Sequence, residues 1–244
     1  MQGPWHLVTH TCATAPEQMA VDQVLAESVW RGLRPPTLRL YTWLAPALTI
    51  GRHQRAGRLP CPAVRRITGG RAVYHEHELT VSLALARHHL PAGPSVRATY
   101  RMLSAPLSAA LNALGLAVDP EENTRPRPGN GFNCFTSPTP DEATVNGAKA
   151  IAVAQRIEPD GLLLQASLPI APPKTLPGAA ESGIAGLSKS HPGLDAETLA
   201  QAVTKGFRTL LGANLARHPL TPEESRRARH LADSAYALLP GGQY

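Results

Sequence analysis

A thiol and an amine stand fifteen residues apart in the stretch GFNCFTSPTPDEATVNGAKAIAVAQ, as Cys134 and Lys149. Cys134 lies in a loop rich in Pro, Ser and Asn. Lys149 follows Asn146-Gly147, a pair suited to the two positive-φ positions of a type I′ hairpin turn. That turn puts Lys149 on a return strand, not on a loose loop. A thiol beside a cationic amine ionises more readily and attacks better at neutral pH. A lone cysteine is also a good small apolar core residue, and a strand lysine is also a solvated one, so spacing alone leaves both readings open. Lysine is scarce: only Lys149, Lys174, Lys189 and Lys205 occur.

A second stretch, VRRITGGRAVYHEHELTVSLAL, crowds Arg65, Arg66, Arg71 and His75 around Gly69-Gly70. Paired glycines let a backbone approach a ligand closely, because no Cβ intervenes. Arginine forks hold a carboxylate or phosphate through two parallel hydrogen bonds. The alternative is a plain hairpin turn with solvated arginines. Upstream, GRHQ at Gly51–Gln54 ends a strand pattern with Arg52 and Gln54 as polar groups for a pocket wall. His6, His10 and His88-His89 have no acidic or cysteine company, so no metal site is expected. Cys12, before a helix, and Cys61, between prolines, read as ordinary small side chains.

The elements that must position these groups follow from periodicity. The chain of 244 residues, 43% hydrophobic and 17% charged, has the composition of a globular protein able to bury a sizeable core. TAPEQMAVDQVLAESVWRGL reads as a helix with Pro16 in its first turn. TLRLYTW alternates Leu38 and Leu40 with Arg39 and Tyr41, a strand pattern. ALTIGRHQ, AVYH and LTVSLAL are further strands. SVRATYRMLSAPLSAALNALG is a helix capped by Ser95, ended by Gly115 and kinked at Pro106. EPDG turns the chain into the strand LLLQASLPI. A loop rich in Pro, Gly and Ser runs from 172 to 192. Asp195 caps one closing helix, and a Thr221/Glu224 capping box with Pro222 opens another. The hairpins imply an α+β domain with a central, largely antiparallel sheet. One domain spans 1–244, with 195–244 as a helical subregion.

The net charge of +6 favours an acidic partner or anionic substrate. It is too diffuse for nucleic acid. No apolar run is long enough to cross a membrane, the amino terminus does not read as a secretory signal, and three scattered cysteines fit a reducing cytoplasm.

RRITGGRAVYHEHELTVSLAL resembles the Gly-Gly signature of the lipoate–protein ligase and octanoyltransferase superfamily, related to biotin–protein ligases. NGAKAIAVAQRIEPDGLLLQASLPI resembles the segment that carries its lysine. MAVDQVLAE, LTIGRHQ and LTPEESRRARHLADSAY resemble flanking parts, so the resemblance runs from Met19 to Tyr236. It implies a pocket for a medium-chain acyl group and transfer of that group to the lysine of a lipoyl carrier domain. Arg65, Arg66, Gly69, Gly70 and His75 would line the pocket's polar mouth, and Lys149 would face the acyl carbonyl. In an octanoyltransferase, Cys134 would carry octanoate from an acyl carrier protein as a thioester, without a cofactor. In a ligase, ATP, Mg²⁺ and free lipoate would give a lipoyl-adenylate. Arg71 in place of a third glycine, the ELT ending, and Cys134-Phe135 before a Ser-Pro loop favour the transferase. A third reading is a non-catalytic lipoyl-domain-binding protein. The chain departs from the family pattern at Glu76, Ala152-Val153 and Gln165-Ala166, positions that bear on acyl length and on the nucleotide site.

Overall fold

The computed structural model describes residues 3–90, 96–119, 132–135 and 143–241. Its first strand, β1 (Pro4–Ala13), leads into α1 (Ala15–Trp30). Glu17 accepts hydrogen bonds from the Thr14 backbone N–H and hydroxyl, fixing the start of α1. The chain returns as β2 (Thr37–Trp43), parallel to β1. This β1–α1–β2 crossover escaped the sequence reading, which finds hairpins most easily. Then come β3 (Ala47–Ile50), β4 (Ala63–Arg65), β5 (Val73–His75), β6 (Glu78–Ala86) and α2 (Val96–Ala113). A small hairpin, β7 (Thr144–Val145) and β8 (Ala148–Lys149), precedes β9 (Ala152–Glu158) and β10 (Gly161–Pro169). The chain closes with α3 (Ala196–Leu211), β11 (Asn214–Arg217) and α4 (Pro222–Ser234).

The main sheet has the order β11-β1-β2-β6-β10-β9. β1 runs parallel to both β11 and β2, and the other three pairings are antiparallel. The expected α+β architecture is present, with a parallel edge that was not foreseen. β11 also puts a strand inside a segment read as helical.

Helices cover both faces. Leu38, Leu40, Val81, Leu83, Leu162 and Leu164 pack with Leu103, Leu107 and Leu111 of α2 and Leu199, Val203 and Phe207 of α3. On the other face, Val8, Tyr41 and Trp43 pack with Met19, Val24 and Leu25 of α1 and Ala228 and Ala232 of α4. Alternation along β2 sorts Leu38 and Leu40 from Arg39 and Tyr41 as a pleated strand must. Arg39 is not solvated, however. It is 1% exposed and paired with Asp22 of α1 at 2.5 Å. Its guanidinium lies 4.0 Å over the Tyr41 ring.

Local signals held where they were strong. Asp195 accepts from the Thr198 N–H at 2.7 Å. Thr221 and Glu224 form the capping box, and Gly212 ends α3 in the left-handed region. Asn146 and Gly147 have φ of 52° and 73°, as a type I′ turn requires. α2 runs across Pro106 as one continuous helix. The Ser95 cap lies outside the described residues. The strand through ALTIGRHQ stops at Ile50, α4 stops at Ser234, and short 3₁₀ turns at Ala180–Ser182 and Leu187–Lys189 interrupt the 172–192 loop.

Candidate active site

The Gly-Gly stretch is not a hairpin. β4 and β5 flank it, but β3 lies between them, parallel to β4 and antiparallel to β5. The 66–72 segment is therefore a crossing loop; backbone bonds from Arg66 to Ile50, Arg52 to Thr68, and through Ala72 hold part of it, and side chains satisfy more of the rest. Arg66, 5% exposed, donates to the Thr49 hydroxyl at 2.7 Å and to the Gly69 and Arg71 carbonyls at 3.0 and 2.9 Å. Burial lowers the Arg66 guanidinium to about 10, while Cys134 and Tyr41 pull it upward. Arg65 donates to the carbonyls of Gly51, Arg52 and Gln54 at 2.9, 3.2 and 2.7 Å. The Gly51–Gln54 and Gly-Gly loops touch here. A Cβ on Gly51 would sit 1.9 Å from the Gly70 carbonyl oxygen, and Gly70 itself has φ 89°.

Behind this loop, His75 is held on three sides. Its Nε2 is 2.7 Å from the Thr49 hydroxyl, its Nδ1 is 2.7 Å from Glu78 Oε1, and Trp43 stacks on the ring at 4.0 Å. Glu78 also accepts from Trp43 Nε1 at 3.0 Å and from the hydroxyls of Ser167, at 2.5 Å, and Thr80. Burial alone would raise the Glu78 carboxyl. The charge and hydrogen bond of His75, with the two hydroxyls, hold it below the usual carboxylate range. Gln165 on β10 adds a second brace: its carbonyl accepts from Thr68 at 2.6 Å, and its amide donates to Asp22 at 2.6 Å. The Gly-Gly loop is thereby tied to α1 through the sheet.

Cys134 reaches the same place from the opposite direction. Its N–H donates to the Ala72 carbonyl at 2.8 Å, and the Ala72 N–H donates to the Phe132 carbonyl at 3.1 Å, a short parallel bridge. Lys149 arrives on β8. Its ammonium lies 3.1 Å from Cys134 Sγ and 3.0 Å from the Cys134 carbonyl. Lys149 is 5% exposed and Cys134 9% exposed. The solvated-lysine alternative is thus overturned: the amine is buried against the thiol, 5.4 Å from the Phe135 ring centre.

A narrow, mostly apolar recess opens beside Cys134. Met19, Val73, Ala152, Val153 and Ala166 make its apolar wall, and Arg66, Gly70, Arg71, His75 and Gln165 its polar one. A narrow apolar recess with a thiol at its wall can receive an aliphatic acyl chain and hold its carbonyl beside the ammonium. Five of the ten anticipated site residues therefore meet the cavity directly: Arg66, Gly70, Arg71, His75 and Cys134. Lys149 meets it through Cys134. Arg65 and Gly69, expected at the mouth, are not among the lining residues: Arg65 donates to the neighbouring loop, and the Gly69 carbonyl accepts from Arg66. Arg52 and Gln54 also stand outside the lining. Arg52 pairs with Glu158 at 3.7 Å, and Gln54 donates to the Phe132 carbonyl at 3.0 Å. Glu76 accepts from the Lys174 and Thr175 backbone at 2.8 and 3.1 Å, pinning the following loop instead of the pocket. The Ser-Pro loop after Phe135 lies outside the described residues. Glu78, Thr49 and Trp43 were missed; an acid three residues after a histidine was their only sequence trace.

Known proteins share the fold and much of the sequence. The family described as lipoyl protein ligase A/B catalytic domain matches residues 14–176. The octanoyltransferase LipM of Kyrpidia tusciae is 32% identical over 93% of this chain and 94% of its own. That of Symbiobacterium thermophilum is 31% identical over 97% of each. Among solved structures, a lipoate–protein ligase A bound with ATP superposes with a TM-score of 0.73 at 21% identity, covering 96% of this chain and 95% of that one. A bi-partite lipoate protein ligase from Thermoplasma acidophilum, studied with its E2 lipoyl domain, gives 0.70 at 19% identity over 96% and 93%. By its sequence match and its fold, the chain belongs to the lipoyl protein ligase A/B catalytic domain family.

Proposed function

We infer that this protein is an acyltransferase that moves an octanoyl group onto the lysine of a lipoyl domain through a thioester on Cys134. The observation that carries the reading is the Lys149 ammonium 3.1 Å from the Cys134 sulfur, at the wall of an apolar cavity. A cation at that range stabilises negative charge on the attacking sulfur and on the acyl oxygen as the carbonyl becomes tetrahedral. Cys134 would attack a donor thioester, expel the donor thiol, and keep the acyl group. The acceptor amine would then attack, form the amide and restore the Cys134 thiol. Acyl-carrier-protein thioester is the donor this chemistry suits, and the sequence needs no ATP or Mg²⁺. The two end-to-end octanoyltransferase relatives support the reading. Residues 1–244 would act as one catalytic unit. Among the described residues no helix is long and apolar enough to cross a membrane.

The test is intact-mass measurement after exposure to octanoyl carrier protein. An octanoyl adduct that hydroxylamine removes, absent from Cys134→Ala, is expected. Full octanoyl transfer to a lipoyl domain by Cys134→Ala would sink the thioester. Transfer of lipoate by that variant only with Mg-ATP would establish the ligase instead.

A further inference from the structure

Cys134 and Lys149 touch, yet each lines a different space. Cys134 lines the apolar cavity. Lys149 lines a separate groove, formed by the β7–β8 hairpin and the 185–190 loop. Lys189 stands in the same groove, so two of the chain's four lysines meet there. Asn146 at the hairpin tip donates to the Ser190 hydroxyl at 2.8 Å, holding the two walls together. Gly186 shapes the far wall: its φ is 76°, and a Cβ there would lie 2.8 Å from Ala171. No carboxylate occurs among the described lining residues. The groove reaches the surface at Lys189 and Ser190, which are exposed.

We propose that this groove binds the leaving arm of the acyl donor, a phosphate-bearing pantetheine-type thiol, with Lys189 meeting the phosphate. The proposal rests on the thioester reading. When Cys134 Sγ bonds to the donor carbonyl, the carbon carries the acyl chain, the oxygen, Sγ and the donor sulfur. The chain occupies the apolar cavity, so the donor sulfur and the arm behind it need room on the other side of the Cys134–Lys149 contact. The groove begins there. The bond from carbonyl carbon to donor sulfur breaks with its electron pair on sulfur. The proton lost by the Cys134 thiol passes to that sulfur by way of Lys149, and the arm departs as a free thiol. An extended arm of amides ending in a phosphate suits a groove of mixed lining that holds Lys149, whose ammonium touches the Cys134 sulfur, and the exposed Lys189. The phosphate can belong to a carrier protein's prosthetic arm or to coenzyme A.

The experiment compares octanoyl-pantetheine phosphate with octanoyl-pantetheine as donors in rapid-quench acylation of Cys134. A charge-assisted contact predicts about a tenfold preference for the phosphorylated arm in the unaltered protein. Lys189→Ala should reduce that ratio to about twofold, and Lys189→Arg should retain most of it. Octanoyl carrier protein against octanoyl-coenzyme A then tells which source is used, either ranking being consistent with the site. A missing preference in the unaltered protein, or the same ratio in Lys189→Ala, overturns the proposal. Calorimetry with non-acylated pantetheine phosphate and with AMP separates this from the function itself. Failure of every donor to acylate Cys134, with Lys189-dependent pantetheine phosphate binding intact, removes the thioester and keeps the groove. AMP binding without pantetheine phosphate binding makes the groove a nucleotide site and overturns it.

Discussion

At the scale of single residues, the proposed acyl transfer rests most on Lys149. It is preorganised on a two-residue strand behind a type I′ turn, and its ammonium touches sulfur and a backbone carbonyl at once. Loss of one such donor lowers the rate by about 10²–10³. Lys149→Ala should therefore abolish most acylation of a lipoyl-domain acceptor, in a protein whose circular dichroism melt still shows a cooperative fold. Lys149→Arg should also be poor, since a planar fork does not fit where a compact ammonium sits. Near-normal acylation by a folded Lys149→Ala would remove the amine from the mechanism. The sequence placed this lysine beside its turn and left its contact with Cys134 open. The turn is written in two adjacent residues, whereas the contact depends on Ala72, in a third segment, holding the Cys134 backbone.

At the scale of elements, close approach replaces bulk. Gly206 of α3 faces Pro106 of α2, and a Cβ on Gly206 would meet the Pro106 carbonyl at 2.3 Å. Gly206→Ala should cost about 1–3 kcal/mol of stability through overpacking, seen as a lower denaturant midpoint. Acylation kinetics of the folded fraction should not change, because the α2–α3 contact lies away from the cavity walls. A variant as stable as the parent would show that the helices slide apart freely. Caps and turns at Asp195, Thr221 and Asn146 were legible because their signals span four residues or fewer. β1 and β11 were not: Pro4–Ala13 pairs with neighbours far along the chain, and no local turn announces a parallel strand. The hairpin alternative for the Gly-Gly loop fails for the same reason, since the strand between its arms, β3, precedes both of them.

At the scale of the molecule, charge shapes both stability and encounter. His6 on β1 stacks on His218 at 3.9 Å, near the buried Arg34–Glu224 pair that ties the α1–β2 connection to α4. Burial, then the charges of Arg34 and His218, lower His6 to about 4. The unfolded chain takes up this proton near the ordinary value of about 6.5, and the folded one only near 4, so stability should fall as pH drops through that window. Melts of His6→Gln should be flatter between those limits than melts of the parent; parallel curves would exclude His6 as the cause. The surplus of +6 should also draw in an acidic lipoyl domain. Its apparent affinity should weaken as salt shortens the screening length, about 10 Å at 0.1 M. An affinity indifferent to salt would leave docking to apolar contacts.

The brace from Thr68 through Gln165 to Asp22, and the bridge from Ala72 to Asn133, have a consequence for how the molecule comes together. Each joins segments far apart in the chain, so each must wait for long loops to close before its hydrogen bonds repay the lost freedom. Helices α1, α3 and α4, with their local caps, have no such wait. On refolding, helical signal should return first, and the reactivity of Cys134 toward an alkylating probe should settle to its native value only in the slowest phase.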